Sequence, residues 1–361
     1  MLQQPEKPNP LAFFAVKEAK PENLAASTTR VFLGIQIECA QCHNHPFARW
    51  SRDQFWSQAA FFAGIERHGD DLFDPITEKI DRHEATPAPG KAPVTAALLD
   101  KQPTSWKAGQ SPRVVLANWI TADANPYFAR ATVNRVWGQF FGLGIVDPVD
   151  DFQDGNPPSH PALLDELARQ FVNTRFDLRT LIRGICLSQT YQRSSRRSHP
   201  SQDEGHTFAR MPVRGMSAEQ FFDSLSLATG YRENDNQRGA FALGRNSPRE
   251  RFLTQFAPQG KPSEPDTSIP QALELMNGRF VSDATFLQNS PALTAICKTP
   301  GMTTRTCLEA IFLSALSRPP TPAELDRFTR FVDQTDSAKA AERLGDVFWI
   351  LLNSSEFRFI H

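Results

Sequence analysis

The sequence predicts a mainly α-helical protein of two parts, with many helices joined by long irregular loops. Three observations carry that reading. Apolar residues recur at three-and-four spacing in segments such as PYFARATVNRVWGQFF and HPALLDELARQFVN, the period of a helix that buries one face. Residues that start and stop helices bracket many of these segments. The chain of 361 residues has room for about two domains, and a polar, proline-rich stretch interrupts the helical pattern after its first sixth.

Taken in order, the opening MLQQPEKPNPLAFFAVKEAKPEN lacks a basic start followed by an apolar run and a small-residue cleavage site, so no signal peptide is read there. Ser27 and Thr28 are placed to cap a helix whose face carries Val31, Ile35, Cys39 and Cys42, spaced by four, four and three. Asp53 then starts a second apolar helix, DQFWSQAAFFAGI. Residues 1–66 make the first part on this reading. Residues 67–110, with GDDLFDPITEKIDRHEATPAPGKAP, break any helix and form a linker or a small hairpin. Residues 111–361 make a second, denser helical part.

Within that second part, PRVVLANWITA and PYFARATVNRVWGQFF read as helices, and Gly142 supplies a stop. The loop GIVDPVDDFQDGNPPSHP leads to HPALLDELARQFVN, and Asp177 caps DLRTLIRGICLSQTY. Residues 193–206 form a polar connector. Ser217 with Gln220 makes a capping box before AEQFFDSLSLATG, which Gly230 ends. Residues 231–250 read as a loop. Thr321, Pro322 and Glu324 combine an N-cap, a first-turn proline and a capping carboxylate, and GDVFWILLNSSEF closes the chain as an apolar helix.

Composition narrows the function. Lys and Arg number 39 against 40 Asp and Glu, for a formal charge of -1. A nucleic-acid partner is therefore not expected, because the field that attracts phosphates would be weak. No apolar run reaches the ~18–20 residues of a membrane span. The five cysteines, Cys39, Cys42, Cys186, Cys297 and Cys307, are odd in number and scattered, which does not describe a disulfide framework. The last three sit among apolar residues and read as buried thiols, with a Cys297–Cys307 bridge open to an exported chain.

One motif carries chemistry. Cys39-Ala40-Gln41-Cys42-His43 has the spacing that attaches a c-type haem. Cysteines three apart on a helical turn project to one side, so both thiols reach the vinyl groups of one porphyrin, and the adjacent histidine offers a proximal nitrogen to iron. Multiplying residue frequencies by chain length gives roughly 0.0015 chance occurrences, so the motif is not an accident of composition. Zinc is the alternative, with His43 or His45 completing part of a tetrahedral shell; a second ligand pair of suitable spacing is missing. A redox dithiol lacks the surrounding βαβ pattern. Phe47 and Trp50 would supply an apolar wall. For the sixth iron position the candidates are His160, in NPPSHP at a helix start, and Met276, in QALELMNG on an apolar helical face where core packing is the ordinary role. An open sixth position would favour small-molecule or peroxide chemistry. Asp147, Asp150, Asp151 and Asp154 form a carboxylate-rich loop that could take calcium, against a solvated loop of capping acids.

The stretch LGIQIECAQCHNHPFARWSRDQFWSQAAFFAG resembles the end of a cytochrome-like domain of unknown function found in planctomycete paralogue sets. PRVVLANWITADANPYFARATVNRVWGQFFGLGIVDPVDDFQDGNPPSHPALLDELARQFVNTRFDLRTLIRGICLSQTYQRSS resembles the start of its usual C-terminal partner domain, and the likeness continues through MSAEQFFDSLSLATG, QALELMNG, LSALSRPPTPAEL and VFWILLNSSEF. The resemblance implies haem c on Cys39, Cys42 and His43, an extracytoplasmic or periplasmic location, and a longer N-terminal portion with a signal peptide ahead of this start. It carries over no established activity and no catalytic residue; electron transfer with an unknown redox partner is the reading of the Cys39–His43 motif itself. A metal-stabilised scaffold, or a module associated with polysaccharide degradation, is the non-redox alternative.

Overall fold

The structure is a computed structural model that describes residues 11–69, 74–100, 104, 106–232, 247–256, 273–276, 278–334 and 337–360. It is mainly α-helical, 55% helix, and among the described residues the strands pair only into three two-stranded antiparallel ribbons. The chain divides into two units, residues 1–211 and 212–361.

The first unit opens with α1 (Leu11–Val16) and α2 (Pro21–Thr28). Pro21 is placed at the first turn, where its missing N–H costs nothing, and Leu24, Ala25 and Thr28 turn inward. The helix then widens into a single π turn, Thr29–Leu33, with the Thr29 hydroxyl donating to the Ala25 carbonyl at 2.8 Å. Gly34 ends it at φ +68°. Glycine is required there twice over. The left-handed backbone disfavours any side chain, and a Cβ would stand 2.7 Å from the Phe152 ring.

This corrects the helix expected through Val31, Ile35, Cys39 and Cys42. Beyond Gly34 the chain runs irregularly with Ile35 and Ile37 buried and Gln36 between them half-buried, then turns once as a 3-10 helix, Glu38–Gln41. Val31, expected on the buried face, is exposed. The second helix begins as α3 (Arg52–Ala60), capped by Ser51 and not by Asp53; Ser51 and Gln54 form a complete capping box.

The 67–110 stretch holds two ribbons. β1 (Ile65–Arg67) pairs with β2 (Ile76–Glu78), and β3 (Glu84–Ala85) with β4 (Val94–Thr95). It packs into the core of α2 and α3: Ala85, Ala96, Leu98 and Leu99 are buried with Phe55, Trp56 and Phe61. Gln58 donates to the Ala97 carbonyl at 2.7 Å. Glu78 accepts from Ser111 at 2.6 Å and from both nitrogens of the Arg113 fork. The Arg113 contact is the main reason the Glu78 carboxyl sits below its usual range. The stretch thus belongs to the first compact unit, which runs to residue 211.

Next come α4 (Pro112–Ile120), α5 (Phe128–Phe141), α6 (Pro161–Asn173) and α7 (Leu178–Leu187). Gly142 stops α5 in the left-handed region and Asp177 caps α7, as the sequence indicates; α7 ends at Leu187, short of Tyr191. A second core gathers Val133, Trp137, Phe141, Leu164, Phe171 and Ile185.

In the second unit, β5 (Arg214–Gly215) pairs with β6 (Phe359–Ile360), tying its two ends together. Its helices are α8 (Ala218–Thr229), α9 (Pro248–Phe256), α10 (Arg279–Thr285), α11 (Pro291–Lys298), α12 (Thr304–Leu316), α13 (Pro322–Asp333), α14 (Ser337–Leu352) and α15 (Ser355–Arg358). The Ser217–Gln220 box and the Gly230 stop are present, and so is the Thr321–Glu324 box. Of the loop read over 231–250, residues 233–246 lie outside the described residues, and helix begins at Pro248.

Arg318 braces this unit. Its guanidinium donates to Glu324 at 2.9 Å on two nitrogens and to Glu356 at 2.5 and 2.8 Å. Chiefly because of Arg318, the Glu324 carboxyl falls from an ordinary 4.5 to about 2. A depressed carboxyl stabilises the fold fully above its unfolded value and loses that contribution as pH falls toward its folded value. Urea midpoints followed from pH 5 to pH 2 should therefore drop steeply for the native chain and less steeply for Glu324→Gln. At neutral pH that variant is expected to be about 1–2 kcal/mol less stable. Parallel acid limbs for the two proteins would contradict the pairing.

Candidate haem-attachment turn

Cys39 lies inside the 3-10 turn Glu38–Gln41 and Cys42 caps it. In a 3-10 helix side chains three apart eclipse one another, so the two thiols share one side, while Ala40 between them is fully buried. Both cysteines are free and exposed, and His43 is exposed beside them. A 3-10 turn, and not the expected α-helix, carries the two cysteines.

The turn is fastened from several directions. The Trp56 indole N–H donates to the Gln41 carbonyl at 3.0 Å. The Arg52 amide donates to the Asn44 side-chain oxygen at 3.0 Å, and the His45 amide to the Trp50 carbonyl at 2.8 Å. On the entry side, Arg30 reaches Asp150 at 2.6 Å and Glu38 at 3.7 Å, and Gln36 donates to Asp150 at 3.1 Å. The Asp150 carboxylate raises the Arg30 guanidinium above its ordinary value. Arg135 donates to the carbonyls of Arg30 and Val31 at 3.2 and 3.5 Å, which the widened π turn leaves open to side-chain donors. The Phe152 amide donates to the Gly34 carbonyl at 2.9 Å.

The two adjacent histidines are distinguished by their hydrogen bonds. His43 Nδ1 lies 2.7 Å from the Asn44 carbonyl. A carbonyl only accepts, so Nδ1 carries the hydrogen, and the neutral ring keeps its lone pair on Nε2. In His45, Nδ1 accepts from the amides of Phe47 and Ala48 at 3.2 and 2.9 Å. Its proton therefore sits on Nε2 and its lone pair is spent inside the turn at Pro46. The alternative role of His45 as a metal ligand would cost it those bonds.

A single ion and a macrocycle ask different things of these donors. An ion needs them to converge on one point; among the described residues no group of three or more His, Cys, Asp or Glu side chains is gathered in that way. A porphyrin would take its thioethers at the rim and its imidazole at the centre, a demand of a different kind. The carboxylate-rich loop makes no ion cage either: Asp150 is spent on Arg30 and Gln36, and Asp151 accepts from Gln153 at 2.9 Å.

The remaining expectations are placed as follows. Trp50 is buried in the core beside Tyr127, so it stands behind the turn, whereas Phe47 is 84% exposed and is the open half of the expected apolar wall. His160 occupies the N-cap position of α6 without a side-chain capping bond; its Nδ1 lies 3.2 Å from the Ser159 hydroxyl and its ring 5.7 Å from Phe208. Met276 belongs to the second unit and is 53% exposed, which corrects its core reading; Leu275 takes the buried place. Of the scattered thiols, Cys307 is buried, and Cys186 and Cys297 are half-buried.

Sequence reasoning missed Arg30, Gln36 and Arg135, which fasten the entry to the turn, and Asn134, whose side chain bonds the backbone of Val146 and Val149 in the loop ahead of Asp150. Asn134 lies on the buried side of α5, and a polar side chain flanking an apolar stripe is the signal that could have found it.

Residues 7–67 match the family described as PSCyt2, protein of unknown function (DUF1549), and residues 112–246 match that described as PSD1, protein of unknown function (DUF1553). No curated protein and no solved structure matches the chain. The PSCyt2 match contains the Cys39–His43 turn, and the division between the two units falls inside the PSD1 match.

Proposed function

Proceeding from a chain that joins a PSCyt2 segment to a PSD1 segment, both of planctomycete-type families of unknown function, we propose that the first unit is an extracytoplasmic c-type haem module serving electron transfer. The observation that supports this best is the turn itself: two eclipsed, exposed thiols followed by an imidazole whose Nε2 lone pair is free. Cys39 and Cys42 would hold the haem by thioether bonds, and His43 would present its Nε2 to the iron. When bound, the haem supplies a one-electron couple whose potential follows its axial ligands and its exposure. The chain contributes orientation. The Asn44 carbonyl fixes the tautomer and plane of His43, a hydrogen bond that also raises the basicity of the ligating nitrogen. Trp56, Asn44 and the Arg30–Asp150 pair keep the turn from unwinding.

The location follows from the chemistry, because covalent haem attachment belongs to compartments outside the cytoplasm. The structure has no helix long and apolar enough to cross a membrane among its described residues.

The histidines test the reading. Visible spectra of the haem-loaded protein should change on His43→Ala, with proximal ligation lost and covalent haem retained, and imidazole added to solution should restore the ligation in part. His45→Ala should leave the iron spectrum intact and lower stability by about 1 kcal/mol, through two lost turn bonds. Equal spectral effects of the two substitutions would sink the assignment of His43.

A further inference from the structure

Two thiols of the second unit stand outside the haem-attachment turn. Cys297 is the penultimate residue of α11 and Cys307 the fourth of α12, consecutive helices that pack together across the turn at residues 299–303. Both side chains enter one apolar cluster: Cys307 is buried in it beside Leu308 and Ile311, and Cys297 packs against it. Counted from the turn, Cys297 lies one residue inside α11 and Cys307 three inside α12, so each stands within one helical turn of the connection. Packed helix axes ~8–10 Å apart bring facing Cα atoms to ~4–6 Å, the range a disulfide spans.

We propose that Cys297 and Cys307 form a disulfide that staples α11 to α12 when the chain meets a disulfide oxidant such as oxidised glutathione. The proposal does not depend on the haem reading, because the oxidant is supplied in the test. Cys307 is only 6% exposed, so the half-buried Cys297 meets the oxidant first. Its thiolate attacks one glutathione sulfur, forming a mixed disulfide and expelling one glutathione thiolate. The Cys307 thiolate then attacks the Cys297 sulfur and expels the second. Two protein thiols are oxidised, one glutathione disulfide is reduced to two thiols, and the protons pass through solvent to the leaving thiolates. Burial raises both thiols above their ordinary value, and proximity to Cys307 raises Cys297 further. Thiolate is therefore scarce at neutral pH, and bridging should accelerate as pH rises.

The test is a peptide map of the whole chain, reduced, exposed to oxidised glutathione at mildly alkaline pH, acid-quenched, alkylated and cut with trypsin without reduction. Lys298 and Arg305 lie between the two cysteines, so trypsin places them on separate peptides that travel together only if bridged. The expected result is a dominant Cys297–Cys307 linked pair. The unfolding temperature should rise by ~3–8 °C, an increase reversed by reductant and absent from Cys297→Ser. Separate alkylated peptides, glutathione retained on Cys297 alone, or linkage of Cys297 to any other cysteine would overturn it. The map of the unsubstituted chain decides the matter even if the serine variant folds poorly.

Discussion

Asn134→Ala is expected to destabilise the first unit by about 3–5 kcal/mol, the largest single-residue effect on stability anticipated here. Asn134 is fully buried. Its amide donates to the Val146 carbonyl at 2.8 Å and the Val149 carbonyl at 3.2 Å, and its oxygen accepts from the Val146 amide at 2.9 Å. Alanine leaves the two Val146 groups unpaired in a place water does not reach, and each such group costs about 1–3 kcal/mol. Asn156 offers the contrast. It donates to the Asp147 and Asp151 carbonyls at 3.2 and 3.0 Å but is half-buried, so water can replace it and Asn156→Ala should cost no more than about 1 kcal/mol. Urea unfolding followed by tryptophan fluorescence separates the two, since five of the six tryptophans lie in the first unit. Equal midpoints for the two variants would contradict the burial argument.

The consequence reaches the Cys39–His43 turn. The loop that Asn134 holds carries Asp150, which binds Arg30 and Gln36, and Phe152, which fills the space left by Gly34 and bonds its carbonyl. In the Asn134→Ala protein the entry to the Cys39–His43 turn should loosen, and the Phe152 amide that bonds the Gly34 carbonyl should exchange with solvent faster than in the native chain.

Local signals were legible where local chemistry decides the outcome. Ser217 with Gln220, Thr321 with Glu324, Asp177, Gly142 and Gly230 all act in the structure as their sequence context indicates, because a cap is satisfied within one turn of itself. The helix through Cys39 failed for a long-range reason. Its four-four-three spacing looked helical, yet Gly34 accepts a left-handed backbone and Phe152, more than a hundred residues on, packs against its bare Cα. The polar 67–110 stretch reads as a linker or a small hairpin, and it holds antiparallel ribbons; what spacing does not encode is that Ala85, Ala96, Leu98 and Leu99 seat it on α3. The motif Cys39, Cys42 and His43 was plain in the sequence. What sets His43 apart from His45 is the direction of the hydrogen bonds at their Nδ1 atoms, which spacing does not encode.

The second large effect is all-or-none, and it tests the haem module directly. The chain, fused to an export signal and co-expressed with c-type haem maturation machinery, is purified from a periplasm, denatured, and measured by intact mass and pyridine haemochrome spectrum. Haem that survives denaturation on the native chain, persists on one thioether in Cys39→Ala or Cys42→Ala, and is absent from the double variant is the predicted result. An unmodified mass for the native chain, with both Cys39 and Cys42 open to alkylation, would contradict it.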